Sequence, residues 1–220
     1  MKKIAFLLCL IMLAACNSTT NLSGFVDPNY RGNYQTKNIL VMGFGIPIDE
    51  QKALESTLKQ SLVNYDVQVI QGLEVFPPTR DFSETDIFQI ANSKGADSLL
   101  IVSVDDRDVT ETYSNPVYIP GNSTSYVSGF GNSLTVKTYT SPGYTIGGGT
   151  IRKPHMSISV YLINIKNQET IWTAEGISRG NKYASFYDLT VSVAKTTVEE
   201  LSKEGLIATK VVQENDTKVL

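Results

Sequence analysis

Five short apolar stretches, separated by segments whose apolar residues recur at helical spacing, constrain this chain more than any other feature. Asn38-Ile39-Leu40-Val41-Met42-Gly43-Phe44, Val67 to Ile70 and Ser98-Leu99-Leu100-Ile101-Val102 are near-continuous apolar runs of strand length. Such runs suit strands buried on both faces. His155 to Ile165 instead alternates, with Met156, Ile158, Val160 and Leu162 on one side, and Glu169 to Ser178 follows around Trp172. The polar link from Asn164 to Glu169 is short, so this pair reads as a hairpin.

Between the runs lie three amphipathic segments. Asp49 is placed to cap a helix whose Leu54, Leu58, Leu62 and Tyr65 share a face. Ser83-Glu84-Thr85-Asp86 has capping-box spacing before Ile87 and Ile90, and Gly95 closes that helix. Ser185-Phe186-Tyr187-Asp188 repeats the signature ahead of Leu189, Val193, Thr197 and Leu201, with Gly205 as the stop. The order βαβαβ, insertion, ββ, α predicts an α/β (α+β) fold, a mixed sheet flanked by helices. The insertion, Glu111 to Thr150, is rich in Ser, Thr, Gly and Asn and carries Tyr113, Tyr118, Tyr126, Phe130, Tyr139 and Tyr144. Alternation through Leu134, Val136 and Thr138 gives it hairpin character. An insertion of this length in a small domain is a natural contact surface.

The chain begins with Lys2 and Lys3, an apolar run from Ile4 to Leu13, and Leu13-Ala14-Ala15-Cys16. The run is too short to cross a bilayer as a helix, which takes roughly 20 residues. The pattern is that of an export signal spanning residues 1–15. Its ending resembles the lipobox of bacterial lipoproteins, in which small residues precede a cysteine whose thiol becomes a thioether. The resemblance implies that Cys16 carries a diacylglyceryl group and a fatty-acylated (palmitate-type) amino terminus, an anchor that two or more chains hold stably. By that family's sorting rule Asn17, in place of Asp, implies the outer membrane of a cell with two membranes; the domain is expected to face the periplasm rather than the cell surface, though the chain itself does not record the face. Residues 16–36 are expected to be the lipidated cysteine and a flexible tether, 37–206 a single domain with its insertion at 111–150, and 207–220 a polar tail.

Composition then excludes several classes. Cys9 leaves with the signal and Cys16 is consumed by lipid, so the mature chain of 205 residues has no disulfide to rely on. Loss of Lys2 and Lys3 takes the formal charge from −3 to −5, with 17 basic against 22 acidic residues. Arg152-Lys153 is the sole basic pair of note, so nucleic acid is not an expected partner. No metal, cofactor or catalytic set is expected. Asp105, Asp106 and Asp108 lack the ligand spacing and glycine turn of a calcium loop. His155, the only histidine, has no G-x-S-x-G elbow to serve. Gly147-Gly148-Gly149 is not followed by the Lys-Ser/Thr of a P-loop, and Gly43-Phe44-Gly45 lacks the third glycine of a dinucleotide fingerprint. These glycines read as turns needing positive φ.

Two further segments carry a resemblance. Lys94-Gly95-Ala96-Asp97-Ser98-Leu99-Leu100-Ile101, and the hairpin from Ile158 through Asn164 and Glu169 to Trp172, are similar to envelope lipoproteins of the curli-secretion-channel and penicillin-binding-protein-activator type. Asn164 stands where those families have Asp, and Glu169 where they have Gly. The likeness implies a fold and an envelope setting and carries over no partner, activity or site residue; the lipobox, the empty catalytic inventory and the tyrosine-rich insertion together point to an envelope protein without enzymatic activity that binds or supports another envelope protein or polymer. A channel-like oligomer using the insertion as membrane hairpins is the alternative the likeness raises; oligomeric state is not legible from the chain.

Overall fold

The computed structural model describes the backbone of residues 18–130 and 133–208, and side chains outside 125–137. The elements, in chain order, are β1 (Ser18–Val26), β2 (Asn38–Phe44), α1 (Ile48–Leu62), a 3-10 turn (Val63–Tyr65), β3 (Gln68–Gln71), α2 (Gly72–Val75), α3 (Glu84–Ser93) and β4 (Ser98–Ser114). They continue as β5 (Val117–Ile119), β6 (Ser123–Phe130), β7 (Ser133–Thr140), β8 (Tyr144–Ile146), β9 (Gly149–Asn164), β10 (Thr170–Gly180) and α4 (Phe186–Lys203). Two units result: a body that ends at Val109 and resumes at Lys153, and the insertion Thr110–Arg152.

The body is built on a six-stranded mixed sheet of order β1-β10-β9-β4-β2-β3. β2 pairs in parallel with both β3 and β4, whereas β9, β10 and β1 follow one another antiparallel. The expected fold class is therefore the observed one. β2 is apolar throughout because both its faces are covered. Ile39 and Val41 join the core under α1 and α4, whose Leu54, Leu58, Leu62, Leu189, Val193 and Leu201 pack there. Leu40 and Met42 join a second cluster with Phe76, Phe88, Ala91 and Leu99. β9 alternates for the opposite reason. Met156, Ile158, Val160 and Leu162 enter the first core, while Tyr161 of the other face is exposed.

Both expected capping boxes form. Ser83 accepts from the Asp86 amide while the Asp86 carboxylate accepts from Ser83, and Ser185 and Asp188 repeat the exchange. α1 differs: Pro47 occupies its N-cap and Asp49 lies in the first turn with no capping bond. A proline fixes φ near the helical value and needs no N–H there, so it opens the helix two residues ahead of the carboxylate.

The expected tether is overturned. Ser18–Val26 is a strand, fully paired with β10 from Ser18↔Gly180 to Val26↔Trp172. Its inward positions are Ser18, Thr20, Leu22, Gly24 and Val26, so no apolar period announces it. The hydroxyls are matched by hydroxyls: Thr20 Oγ1 lies 2.9 Å from Ser178 Oγ and donates to Ser192 Oγ at 2.8 Å. Gly24 is open because Trp172 lies beneath it; a Cβ there would stand 2.3 Å from the indole Nε1. At the other terminus Leu206 and Ile207 are buried, so the body includes Ile207, the first residue assigned to the polar tail. Residues 209–220 lie outside those described.

Asp97, of the Gly-Ala-Asp segment, ties two strands together. Its carboxylate accepts from the backbone N–H of Lys37 at 2.8 Å and of Asn38 at 3.0 Å, and from the hydroxyls of Thr36 and Ser98. These amides open β2 beside β4. Asp97→Ala should cost about 2 to 3 kcal/mol because the donors lose a charged acceptor. Chemical denaturation checks this, with Asp105→Ala, which loses one peripheral bond, expected to cost less than half as much.

Glu55 is fully buried on α1 and accepts from the Leu73 amide at 3.0 Å and from Gln51 Nε2 at 3.1 Å, holding the start of α2. Burial raises its pKa above the ordinary carboxylate value, with Glu74 adding to the rise and the two hydrogen bonds opposing it. A raised carboxylate pKa means the folded state holds its proton longer than the unfolded state. Its contribution is then most favourable below the unfolded pKa and declines as pH rises through the raised one. Glu55→Gln should remove that decline, so its melting temperature relative to the parent should climb by a few degrees between roughly pH 4 and pH 7. Paired thermal melts across that range measure it.

Candidate functional site

The acidic run on β4 does not form a metal site. Asp105 accepts from Ser159 Oγ of β9 at 2.6 Å, and Asp108 Oδ1 accepts from the Val109 amide at 2.7 Å. Arg107, between them, turns to Glu50 at the start of α1 with a 2.9 Å ion pair, its guanidinium 4.1 Å above the Phe186 ring of α4. Arg107 thereby braces the starts of two helices on one strand. No cluster of three metal-ligating side chains occurs among the described residues.

His155 lies on β9 opposite Arg179 of β10, four positions from Ser159. Four strand residues span roughly 13 Å, and Ser159 bonds its aspartate directly, whereas a triad needs the imidazole between the two. Asp105 and Ser159 instead border a shallow polar depression of about 560 Å³ with Ser23, Ser157, Glu175 and Ile177, on the sheet face away from α1 and α4. Of the glycines, Gly45, Gly147, Gly148 and Gly149 have positive φ as expected. Gly43 does not: it is small because Leu54 packs against it, and a Cβ would come within 2.8 Å of that side chain.

Within the insertion, β5 pairs with β8 through Val117↔Ile146 to Ile119↔Tyr144, and β6 with β7 from Ser123↔Thr140 to Phe130↔Ser133. Hairpin character was legible from alternation. Tyr113, Val117, Tyr118, Tyr139, Tyr144 and Ile146 are each more than half exposed. That concentration of uncovered aromatic and branched side chains exceeds the scattered apolar residues of an ordinary surface.

A second exposed group was missed by the sequence reading because nothing along the chain shows that β1 begins beside it. Tyr183 is 73% and Tyr187 51% exposed, and the Lys182 ammonium sits 4.8 Å from the Tyr183 ring centroid. They flank the join from β10 to α4, where Ser18 pairs with Gly180 and its hydroxyl donates to the Asp188 carbonyl at 3.0 Å. Tyr187 also lines a cleft of about 490 Å³ between β1 and α4, with Ser18, Thr20, Ser192 and Lys195. Cys16 itself lies outside the described residues. No described helix is long and apolar enough to cross a membrane.

No protein-family model and no curated protein matches this chain. Among solved structures it is similar to the PelC dodecamer from Paraburkholderia phytofirmans, at 14% identity and a TM-score of 0.47, over 87% of this chain and 100% of that one. It is similar also to lipoprotein GNA1162 from Neisseria meningitidis, at 14% identity and a TM-score of 0.40, over 76% of this chain and 99% of that one. A PDZ domain protein from Parabacteroides distasonis scores 0.32 at 12% identity, over 91% of this chain and 40% of that one.

Proposed function

We propose that this chain is a non-enzymatic envelope lipoprotein, lipidated on Cys16, held at the outer membrane facing the periplasm, whose insertion Thr110–Arg152 binds another envelope protein or polymer. The observation that carries the reading is the exposed state of Tyr113, Tyr118, Tyr139 and Tyr144 in a unit among whose described residues no apolar side chain is buried. Tyrosine gives large contact area at low entropic cost, with a hydroxyl to orient the partner. The places of Asp105 and Asp108 support the non-enzymatic reading, since Asp105 is bonded directly by Ser159 and Asp108 by the neighbouring Val109 amide.

The alternative, a ring in which each subunit lends hairpins to a membrane channel, draws on the strand content of the insertion. β6 and β7 have eight residues each, just under the roughly 9 to 11 that cross a bilayer as tilted strands. Binding to a periplasmic component asks less of them.

Two measurements test the proposal. Intact-mass analysis of protein from its native host should show Cys16 acylated at a new amino terminus, and a bare thiol there would refute the anchor. Replacing Glu111 to Thr150 by a short Gly-Ser turn should abolish crosslinks to other envelope components in living cells while the melting temperature of the body changes by only a few degrees. Unchanged crosslinks would remove the insertion as the contact surface, and loss of a detergent-stable ring would favour the channel.

A further inference from the structure

A lipid anchor on a long linker leaves a domain free to tumble, whereas one joined directly to a rigid strand sets which surface faces the bilayer. β1 begins at Ser18, so only Asn17 separates the sheet from Cys16. Two residues reach at most about 7 Å, against the roughly 25 Å that a 20-residue flexible tether would give. The headgroup layer must then lie against whatever surrounds Ser18.

What surrounds it has the chemistry of an interfacial patch. Ser18 is paired with Gly180, and the turn that follows presents Lys182 and Tyr183, with Arg179 just before it and Tyr187 just after. All four are exposed, the two tyrosines strongly. Tyrosine is favoured at headgroup depth, where its ring meets the acyl boundary and its hydroxyl stays wet, and lysine and arginine beside it reach lipid phosphates. The nearby carboxylate of Asp188 is already engaged by Ser185 in the capping box, so it does not set an open negative charge against the surface. The far end of the same strands differs: Tyr30, Asn167 and Glu169 bond to one another there, beside Asp27, and the tip carries Lys166.

We infer that Arg179, Lys182, Tyr183 and Tyr187 form a phospholipid-contacting surface that, with the lipid on Cys16, holds the body in one orientation with the β9–β10 turn pointing away from the membrane. This rests on the anchor reading above and adds a surface to it. The tyrosines do not supply the attachment; they fix the angle at which it is made.

The test uses the mature lipidated protein in vesicles of phosphatidylethanolamine and phosphatidylglycerol. With Cys16 acylated, Tyr183→Cys and Lys166→Cys each introduce a single reactive thiol for an environment-sensitive fluorophore. Quenching by lipids spin-labelled at the headgroup should be several-fold stronger at position 183 than at 166. The combined changes Lys182→Glu and Tyr187→Ala, at exposed positions, should lower that ratio toward the value the short anchor alone sets, without releasing the protein from vesicles. Equal quenching at 183 and 166 in protein that floats with the vesicles would overturn the oriented surface and leave the anchor standing. Protein that does not float at all would overturn both.

Discussion

The docking of β1 onto β10 is the contact on which the functional geometry depends. It is made with almost no apolar alternation: Thr20 meets Ser178 and Ser192, Gly24 lies over Trp172, and only Val26 supplies a fully buried branched side chain. Hydroxyls buried in pairs lose little relative to water, because each donor and acceptor is exchanged one for one. The glycine allows a strand to lie directly on a large indole that would otherwise be left open to solvent. Because the strand is held this way along its whole length, the position of its first residue is fixed relative to α4, and with it the point at which an anchor would leave the body.

The remainder of the sheet is organised by how many faces each strand must bury. β2 and the first half of β4 lie between α1 with α4 on one side and α2 with α3 on the other, and both faces of Ile39 to Met42 and of Leu99 to Val102 are apolar. β9 and β10 are covered on one side only and alternate. The uncovered side is polar, with the Asp105 to Ser159 bond and Glu175 upon it. Charged groups near the helix starts work in the same direction. Asp97 fastens the opening of β2, Glu55 the opening of α2, and Arg107 the openings of α1 and α4. Asp97, Glu55, Asp105 and Arg107 are thus engaged in joining elements.

Much of this was legible beforehand. Continuous apolar runs, alternation through Met156 to Leu162, and Ser-x-x-Asp spacing at Ser83 and Ser185 are local signals whose physical cause lies within a few residues, so the mixed sheet, the hairpin and two helix starts were readable. β1 was not, since a strand whose inward residues are Ser and Thr has the composition of a linker until the partner hydroxyls are known. Pro47 as the N-cap of α1, and the packing reason for Gly43, also depended on neighbours distant in sequence.

The sequence by itself determined the order of the main elements from β2 onward and the absence of any cysteine beyond Cys16, because each is a matter of composition and short-range period. Only the tertiary structure decided that Arg179, Lys182, Tyr183 and Tyr187 surround the start of β1, and that Asp105 and Arg107 serve separate neighbours. Those facts follow from strand register across more than 150 residues of chain, and register is set by side chains meeting in space, which no pattern along the chain records.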